Sequence, residues 1–368
     1  MSKIRVLVVD DAIVVRRVVS HVLASDPALE VAGTAINGKI ALTKLAQLKP
    51  DLVTLDLEMP QMDGLETLKA LRLENPRLPV IMLSRFTERG AAATSKAMLL
   101  GANDYVTMPD GTGNIDDAMQ RIREQLIPKI KLLARPARGA HGKLASAVPP
   151  QGQIDPLGGR RSPSSNRSRR IEIVAIGVST GGPDALANLL PALPRDFPVP
   201  IVIVQHMPAE FTTRLAAQLR SKSAINVSEG GTNDLIFPGH AWLAPGGHHM
   251  LVVRGTQGAR LQMNTAAPEN YCRPSVDVLF RSVADAYGAG TLAVVLTGLG
   301  QDGLRGCERI RAIGGQVLVQ DEASSVVWGM PGAVARAGLA DQIVPLKQLS
   351  EEITRRVTHG RTAPAKPN

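Results

Sequence analysis

Short apolar runs alternate with segments of helical periodicity along the first third of the chain. Apolar runs bounded by polar residues predict buried strands, and apolar residues spaced three or four positions apart predict helices between them, the last from about 114 to 125. Strands that alternate with helices in this way predict a parallel sheet covered on both faces. The predicted strands are Ile4–Val9, Leu29–Ala35, Leu52–Asp56, 79–83 and 104–106.

The same alternation returns at residue 171. Residues 225–264 differ, because short strands there are separated by Gly, Pro and Asn turns, which indicates a β-rich insertion or an antiparallel edge. The second half of the chain therefore predicts a doubly wound, mostly parallel α/β sheet with a β-rich antiparallel segment. The predicted parallel strands are 171–176, 200–205, 292–296 and 316–319.

Between these halves lies a segment of different composition, residues 126–170. Its hydrophobic periodicity is soon lost, and Pro, Gly, Ser, Gln and Arg predominate. Ten Lys and Arg residues against one acid, Asp155, give it a charge of +9, equal to the net charge of the whole chain. Such a composition predicts a flexible linker whose charges repel one another. The predicted organisation is a domain over 1–125, this basic linker, a second domain over 171–359 and a disordered tail over 360–368.

Composition limits the class of protein further. With 44% apolar and 20% charged residues, the chain has the composition of an ordinary globular protein. No apolar run reaches the roughly 18–20 residues of a membrane span, and no signal peptide is recognisable. The two cysteines, Cys272 and Cys307, are too few for a disulfide framework. We therefore expect a cytoplasmic protein without membrane insertion. Charges outside the linker cancel and aromatic residues form 3% of the chain, so we expect no nucleic-acid partner.

Three carboxylates follow predicted strands of the first domain. Asp10 and Asp11 follow the first strand, and Asp56 closes the third. Because the carboxyl ends of parallel strands meet at one edge of an open sheet, these carboxylates should converge. Oxygen ligands of this kind suit Mg²⁺. A simpler interpretation, that Asp10 and Asp11 only cap a helix, does not explain their combination with Asp56.

The acidic pair and the sequence DLEMPQMDG that begins at Asp56 make this region similar to the receiver domains of two-component response regulators, which have a flavodoxin-like (βα)5 fold. The resemblance implies that a histidine kinase phosphorylates Asp56, that Asp10, Asp11 and Asp56 hold Mg²⁺, and that Ser84 is the switch hydroxyl. One position departs from the pattern. Receivers usually carry Lys-Pro after the fifth strand, and this chain has Met108 followed by proline. A thioether cannot pair with an acyl phosphate, so we expect weaker phosphorylation-dependent switching.

A Gly-rich turn, GVSTGG, follows the first strand of the second domain, and Pro183 opens the helical pattern after it. Such a turn directs backbone N–H groups and the positive end of a helix dipole at one point, which favours a bound negative charge. Ser179 lies inside the turn. Two interpretations remain open from this pattern: a phosphate cradle, or a nucleophile beside an oxyanion site.

Two further polar side chains follow strands of the same predicted sheet. His206 comes directly after 200–205, and Asp302 lies in the Gly-rich turn after 292–296. The GxGxxG spacing and ribose-binding acid of a dinucleotide site are missing. Acyl transfer requires Ser, His and Asp, because His accepts the Ser proton and Asp orients the imidazole. Each residue alone could be a helix cap or a rim histidine, but their common placement at strand ends favours catalysis. Three other histidines have no further metal-ligating residue at helical spacing. Surface or loop roles are predicted for these residues, His240, His248 and His249.

Six motifs in the second domain occur in the order IGVSTGG, QHMP, PGHAWLAPGGHHM, RPSVDVLF, LTGLGQDG and EASSVVWGMP. With these motifs the domain resembles the catalytic domain of the protein-glutamate methylesterases of bacterial chemotaxis, the CheB family. The resemblance implies hydrolysis of glutamyl methyl esters on the cytoplasmic domains of methyl-accepting chemoreceptors, with release of methanol, and deamidation of receptor glutamines. It implies Ser179, His206 and Asp302 as the catalytic triad and backbone N–H groups around Thr180 and Leu299 as oxyanion donors. It implies no cofactor for the esterase.

The family often has Met-Gly-Asn-Asp where this chain has LGQD, ending at Asp302. Replacing Met by Leu conserves volume and keeps a backbone donor, whereas replacing Asn by Gln leaves the neighbouring hydrogen bonds open. In the family the receiver packs over the active site, and phosphorylation relieves the block. The alternative is a receiver-coupled binding module whose turn around Ser179 holds a phosphate without reacting. A DNA-binding regulator is disfavoured, because no helix-turn-helix pattern follows the linker.

Overall fold

A computed structural model of the chain describes residues 3–85, 88–108, 115–134 and 170–359. These residues form two α/β domains, each with a parallel sheet covered by its own helices. Most of the predicted linker and all of the predicted tail lie outside the described residues, so both remain predictions.

The first sheet has the strand order β2-β1-β3-β4-β5, with every pair parallel, which is the order of flavodoxin-like folds. Apolar residues cover both faces: one face packs against α1 and α5, and the other packs against α2, α3 and α4. The predicted receiver fold is confirmed. Its elements are β1 Ile4–Val9, α1 Ile13–Ala24, β2 Leu29–Ala35, α2 Gly38–Leu48, β3 Leu52–Asp56, α3 Gly64–Glu74, β4 Val80–Arg85, α4 Glu88–Leu99, β5 Asp104–Met108 and α5 Ile115–Leu133.

Helix α5 is longer than predicted, and the predicted end near residue 125 is wrong. It continues to Leu133 and contains Pro128 within it. A proline inside a helix costs about 3 kcal/mol. Leu126, Ile127 and Ile130 are all buried in the same apolar cluster as α1, and full burial of such a side chain contributes about 1.5–3 kcal/mol. Burial therefore outweighs the proline, and the first residues of the predicted linker are packed helix.

The second sheet has seven parallel strands in the order β14-β13-β12-β6-β7-β9-β8. Strands β10 and β11 form a separate antiparallel hairpin. The predicted sheet is confirmed, and so is an antiparallel piece in the β-rich segment, although β8 and β9 extend the parallel sheet. The strands are β6 Ile173–Val178, β7 Ile201–Gln205, β8 Asn226–Glu229, β9 His240–Leu243, β10 His249–Gly255, β11 Gly258–Asn264, β12 Thr291–Val295, β13 Gln316–Gln320 and β14 Gln342–Val344.

Helices cover both faces of this sheet. Their apolar side chains pack against those of the strands in two clusters, one on each face. Strand β6 lies between β7 and β12 in parallel register, so the carboxyl ends of these three strands meet at one edge. The turns that follow them therefore converge. The helices are α6 Gly182–Leu189, α7 Ala209–Lys222, α8 Val276–Tyr287, α9 Leu304–Ala312, α10 Met330–Arg336 and α11 Leu346–Thr358.

The two domains share an interface in which α4 and β5 of the first domain pack against α6 and α7 of the second. The rings of Tyr105 and Phe211 lie 4.9 Å apart between their centroids. Ser95 Oγ on α4 donates a hydrogen bond of 2.8 Å to Gln218 Oε1 on α7. Leu99 packs with Tyr105 against the apolar cluster of the second domain. The first domain therefore contacts the sheet edge that carries the site described below.

Candidate active site

Ser179 is held in the turn between β6 and α6 by main-chain hydrogen bonds. Its N–H donates to Thr297 O at 3.0 Å, and its carbonyl accepts from Gly182 N at 2.8 Å and from Gln205 Nε2 at 3.0 Å. Gly181 has a φ of +77°, and a Cβ there would lie 2.6 Å from Val326. The turn therefore requires glycine, which explains the sequence around Ser179. The Ser179 side chain is half-exposed.

These hydrogen bonds bear on the two interpretations of the turn. The N–H groups of Ser179, Gly181 and Gly182 all donate to protein carbonyls. A phosphate cradle needs several such groups directed at the ligand. The arrangement therefore favours a presented nucleophile over a phosphate site.

His206 begins the turn after β7, and its N–H donates to Val178 O at 3.1 Å. Its Nε2 lies 2.8 Å from Asp302 Oδ2, with the two side chains 12% and 2% exposed. Since Asp302 engages Nε2, the ring nitrogen left to accept a proton is Nδ1. Gln205 Nε2 donates to the carbonyls of both Ser179 and His206, at 3.0 and 3.2 Å, and so ties the two turns together.

The Asp302 carboxylate sits at the amino end of α8. The N–H groups at a helix start and the positive end of its dipole stabilise a carboxylate. Burial, the largest influence, raises the pKa of Asp302, but the hydrogen bond and charge of His206 and the backbone donors lower it to about 2. Asp302 is therefore anionic at neutral pH. Besides His206, it accepts hydrogen bonds from Asn270 Nδ2, Ser275 Oγ, Val276 N, Asp277 N and Gly303 N.

A thiol lies on the other side of the imidazole, since Cys272 Sγ is 3.6 Å from His206 Nδ1. Burial is the largest influence on the pKa of His206 and lowers it. The hydrogen bonds and charges of Asp302 and Cys272 outweigh burial and raise it to about 9. The imidazole is therefore a stronger base here than in water, but it is largely protonated at neutral pH.

The side chain of Ser179 is not hydrogen-bonded to the proposed base in the described part of the chain. Among the described residues, no hydrogen bond joins Ser179 Oγ to His206 or to any other group. A nucleophile and its base often align fully only with substrate bound. The structure therefore brings His206, Asp302 and Cys272 into contact and places Ser179 on the adjoining turn.

Of the two predicted oxyanion donors, Thr180 follows Ser179 in the same turn and Leu299 lies in the neighbouring turn after β12. A Cβ at Gly298, next to Leu299, would lie 2.7 Å from Ser179 Cβ. In the described part of the chain, neither the Thr180 nor the Leu299 N–H donates to a protein carbonyl. The Thr180 carbonyl is fixed by Thr297 Oγ1 at 2.9 Å. Both N–H groups are thus available to a developing oxyanion, as oxyanion stabilisation requires.

The first domain bonds directly to the residues that follow Ser179. Thr180 Oγ1 donates to Asp104 Oδ2 at 2.7 Å, and Gly181 N donates to Asn103 O at 3.2 Å. Lys129 Nζ donates to Asp104 Oδ1 at 2.7 Å and fixes the carboxylate from behind. Asp104 is 5% exposed, so this contact is shielded from solvent.

The acidic cluster of the first domain forms as predicted. Asp10, Asp11 and Asp56 each place a carboxylate oxygen within 4.8 Å of the others. Asp10 and Asp56 are buried and Asp11 is exposed. A set of three carboxylates with one open side fits Mg²⁺, which prefers hard oxygen ligands and retains several waters.

Ser84 and Met108 end neighbouring strands, β4 and β5. Ser84 is fully buried, and its Oγ lies 2.7 Å from Thr94 Oγ1 on α4. Helix α4 in turn packs on α7 of the second domain. Met108 is buried in the apolar cluster under α1 and α5. The proline after Met108 lies outside the described residues.

Sequence reasoning misjudged one histidine. His249, for which a surface or loop role was predicted, is 1% exposed. Its Nδ1 accepts from Ser275 N at 3.2 Å, and its Nε2 lies 3.1 Å from Ala267 O. It thus supports the start of α8, where Asp302 is held. Two of the quoted motifs contain these residues: PGHAWLAPGGHHM includes His249 and RPSVDVLF includes Ser275. Cys272 beside His206 was not foreseen either.

Comparisons with known proteins agree with this geometry. A sequence profile of the family described as CheB methylesterase matches residues 174–353, and one described as response regulator receiver domain matches residues 6–120. A protein-glutamate methylesterase/protein-glutamine glutaminase of Trichodesmium erythraeum is 53% identical over 97% of this chain and 100% of its own length. Another, from a Nocardioides species, is 48% identical over 98% of this chain and 97% of its own.

The solved structures include a close counterpart of the second domain. The crystal structure of the Thermotoga maritima CheB methylesterase catalytic domain matches this chain with 37% sequence identity and a TM-score of 0.50. The match covers 51% of this chain and 99% of the Thermotoga chain. The relatives named above extend over both domains and the segment between them. The chain therefore belongs to the CheB family of protein-glutamate methylesterases and protein-glutamine glutaminases with an N-terminal receiver domain, the enzymes of chemotactic adaptation.

Proposed function

We propose that Ser179, His206 and Asp302 carry the hydrolysis of glutamyl methyl esters on the cytoplasmic domains of chemoreceptors. Ser179 Oγ attacks the ester carbonyl while His206 Nδ1 accepts the hydroxyl proton. The tetrahedral intermediate collapses, and the methoxy group leaves as methanol with the proton from His206. Water then attacks the acyl-enzyme through the same base, and a glutamate carboxylate is released. The same steps on a receptor glutamine release ammonia.

The backbone N–H groups of Thr180 and Leu299 stabilise the oxyanion of the tetrahedral intermediate. Preorganised donors of this kind contribute about 2.7–4 kcal/mol each when they act on the transition state. Because both donors are main-chain groups, the replacement of the family's methionine by Leu299 keeps them. Leu299 is 40% exposed, so its side chain lies outside the apolar core.

The observation that carries this proposal is the contact of His206 Nε2 with Asp302 Oδ2 at 2.8 Å. Five further donors hold the Asp302 carboxylate in place. Such a carboxylate fixes the imidazole orientation and stabilises the imidazolium that forms during attack. Burial of an anion is costly unless it is hydrogen-bonded, and these donors with His206 offset that cost.

Labelling with a phosphonofluoridate tests this assignment. Ser179 Oγ should form a P–O bond as fluoride leaves, which gives one adduct per chain and parallel loss of methanol release. Asp302→Asn should slow labelling, because the base is no longer oriented. An adduct on another serine, or no adduct on an active enzyme, would overturn the assignment.

We further propose that the receiver regulates this site. A histidine kinase phosphorylates Asp56, and Asp10, Asp11 and Asp56 hold the Mg²⁺ that neutralises the phosphoryl donor. Ser84 then contacts the phosphoryl group and releases its partner on α4. Helix α4 contacts α7, and Asn103 and Asp104 contact the Ser179 turn. A shift of α4 and β5 would therefore open the substrate side of the second domain.

Finally, we propose a cytoplasmic location, where receptor cytoplasmic domains and the kinase are accessible. In the described ranges, no helix combines the length and apolar character that a membrane crossing requires. Of the predicted linker over 126–170, the part that follows the end of α5 is proposed to tether the two domains, and residues 360–368 are proposed to form a disordered tail. Both segments combine a composition poor in apolar periodicity with many Pro, Gly or charged residues.

A further inference from the structure

The His206–Cys272 pair opens onto a cavity of about 500 Å³ beside the catalytic histidine. The pair lies at its wall, so a small solute can reach both side chains. Tyr271, which is fully exposed, and Glu210 border the same cavity. The proposed hydrolysis uses His206 but assigns no step to the Cys272 thiol.

The separation of the two ligand atoms matches a tetrahedral metal site. Zn²⁺ binds thiolate sulfur at about 2.3 Å and imidazole nitrogen at about 2.0–2.1 Å, which places the two ligand atoms about 3.5 Å apart at a tetrahedral angle. Cys272 Sγ and His206 Nδ1 lie 3.6 Å apart. Little movement is therefore needed for both to bind one cation.

Asp302 supplies the support that metal-bound histidines generally have. A ligating imidazole usually donates its second ring N–H to a carboxylate, which fixes the tautomer and strengthens the ligand. His206 Nε2 contacts Asp302 at 2.8 Å, and this leaves Nδ1 for a metal. Ligand atoms of His206, Cys272 and Asp302 all lie within 4.8 Å of one another.

We propose that His206 Nδ1 and Cys272 Sγ bind a thiophilic divalent cation of the Zn²⁺ class, and that this cation inhibits the esterase. The metal displaces the thiol proton and the Nδ1 proton of the imidazolium to solvent, and it occupies the lone pair that would accept the Ser179 proton. Water completes its coordination from the cavity. The inhibition, unlike the binding, rests on the proposed role of His206 as the base.

Ligand chemistry separates this site from the acidic cluster of the receiver. Soft sulfur with imidazole selects Zn²⁺-like ions, whereas the carboxylates of Asp10, Asp11 and Asp56 select Mg²⁺. The other cysteine of the chain, Cys307, is fully buried behind α8 and cannot take part. Cys272 is therefore the thiol on which binding depends.

Cobalt binding tests the site without reference to activity. Co²⁺ is titrated into the full-length protein in excess Mg²⁺, and thiolate-to-cobalt charge transfer is followed in the near ultraviolet. Wild type and the matched thiol control Cys307→Ala should each show one equivalent of the band, which Zn²⁺ abolishes. Cys272→Ala should lack the band, and His206→Gln should bind at least tenfold more weakly. A missing band in wild type, or an equal band in Cys272→Ala, would overturn the proposal.

Zinc inhibition is then compared within each variant, relative to its own metal-free rate. The concentration of Zn²⁺ for half inhibition should rise at least tenfold in Cys272→Ala and stay unchanged in Cys307→Ala. Equal sensitivity of wild type and Cys272→Ala would contradict inhibition through this pair. A Cys272-dependent cobalt band without inhibition would instead reject His206 as the base and leave the metal site standing.

Discussion

Asp104 on the receiver accepts a hydrogen bond of 2.7 Å from Thr180, the residue that follows the proposed nucleophile. The two residues are 76 positions apart in the sequence, and the bond is buried. Lys129 holds the same carboxylate from the receiver side at 2.7 Å. One side chain of the receiver is thus bonded to the turn on which the chemistry is proposed to occur.

Replacing Asp104 with Asn should raise the methylesterase rate of the unphosphorylated enzyme. A hydrogen bond to a charged group contributes about 1.5–3 kcal/mol, against about 0.5–1.5 kcal/mol for a neutral one, so loss of the charge should shift the balance between closed and open forms by up to about tenfold. Methanol release without a phosphodonor measures this change. Asp26→Asn is the matched control, because Asp26 pairs with Lys131 on α5 at 2.6 Å, away from the domain interface. Equal rates for wild type and Asp104→Asn would show that this bond does not restrain the site.

The pH profile should reflect the raised pKa of His206. Only the neutral imidazole can accept the Ser179 proton, and its pKa is raised to about 9. The kcat/KM of the unphosphorylated enzyme should therefore fall about tenfold for each pH unit below 9 and level off above it. This replaces the inflection at about 6.5 that an unperturbed histidine gives.

Two variants sharpen the pH experiment. Cys272→Ala should move the inflection to lower pH, because Cys272 contributes to the raised pKa. The control is His240→Gln, which should leave the profile unchanged. The His240 ring stacks on Trp242 in β9. A profile that is flat between pH 7 and 10 in wild type would argue against a histidine base with this pKa.

Asp302→Asn should lower kcat by about 10³–10⁴-fold, because the neutral amide no longer selects the imidazole tautomer. Combined with Ser179→Ala, it should cost little more than the serine substitution alone, since the residues act as a unit. Single-turnover methanol release on the two single variants and the double variant measures this. Multiplying losses would mean that Asp302 and Ser179 act independently.

Met108→Lys should increase the ratio of phosphorylated to unphosphorylated turnover. The lysine restores a charge-assisted contact to the phosphoryl group on Asp56, worth about 1.5–3 kcal/mol. Because Met108 is buried in the apolar cluster under α5, the lysine must direct its amine toward the strand edge. Ester hydrolysis with and without a small phosphodonor compares the two forms. Strong stimulation of the native enzyme with no gain in the variant would mean that another residue replaces the lysine.

Strand patterns predicted both sheets and placed the candidate site residues. Ser179, His206 and Asp302 could be selected because parallel strands end at one edge, so residues after separate strands converge. The end of α5 could not be predicted, because Pro128 is a local signal against helix whereas the burial of Leu126 and Ile130 is a tertiary effect.

Contacts between distant parts of the chain were equally invisible in the sequence. Nothing local distinguishes Asp104 as a partner of Thr180, or Cys272 as a neighbour of His206, because each pair meets only through domain packing or loop folding. His249 looked like a loop residue because its partners, Ser275 and Ala267, lie far along the chain.

Methanol release from a methylated receptor fragment by Ser179→Ala tests the central claim most directly. Ser179 is half-exposed and its turn is held by main-chain bonds, so the variant should keep the unfolding temperature of wild type. Its methanol release should fall to a residual rate about 10³–10⁴-fold above that in water, which oxyanion stabilisation and binding still supply. A folded Ser179→Ala enzyme with near-normal turnover would contradict the triad.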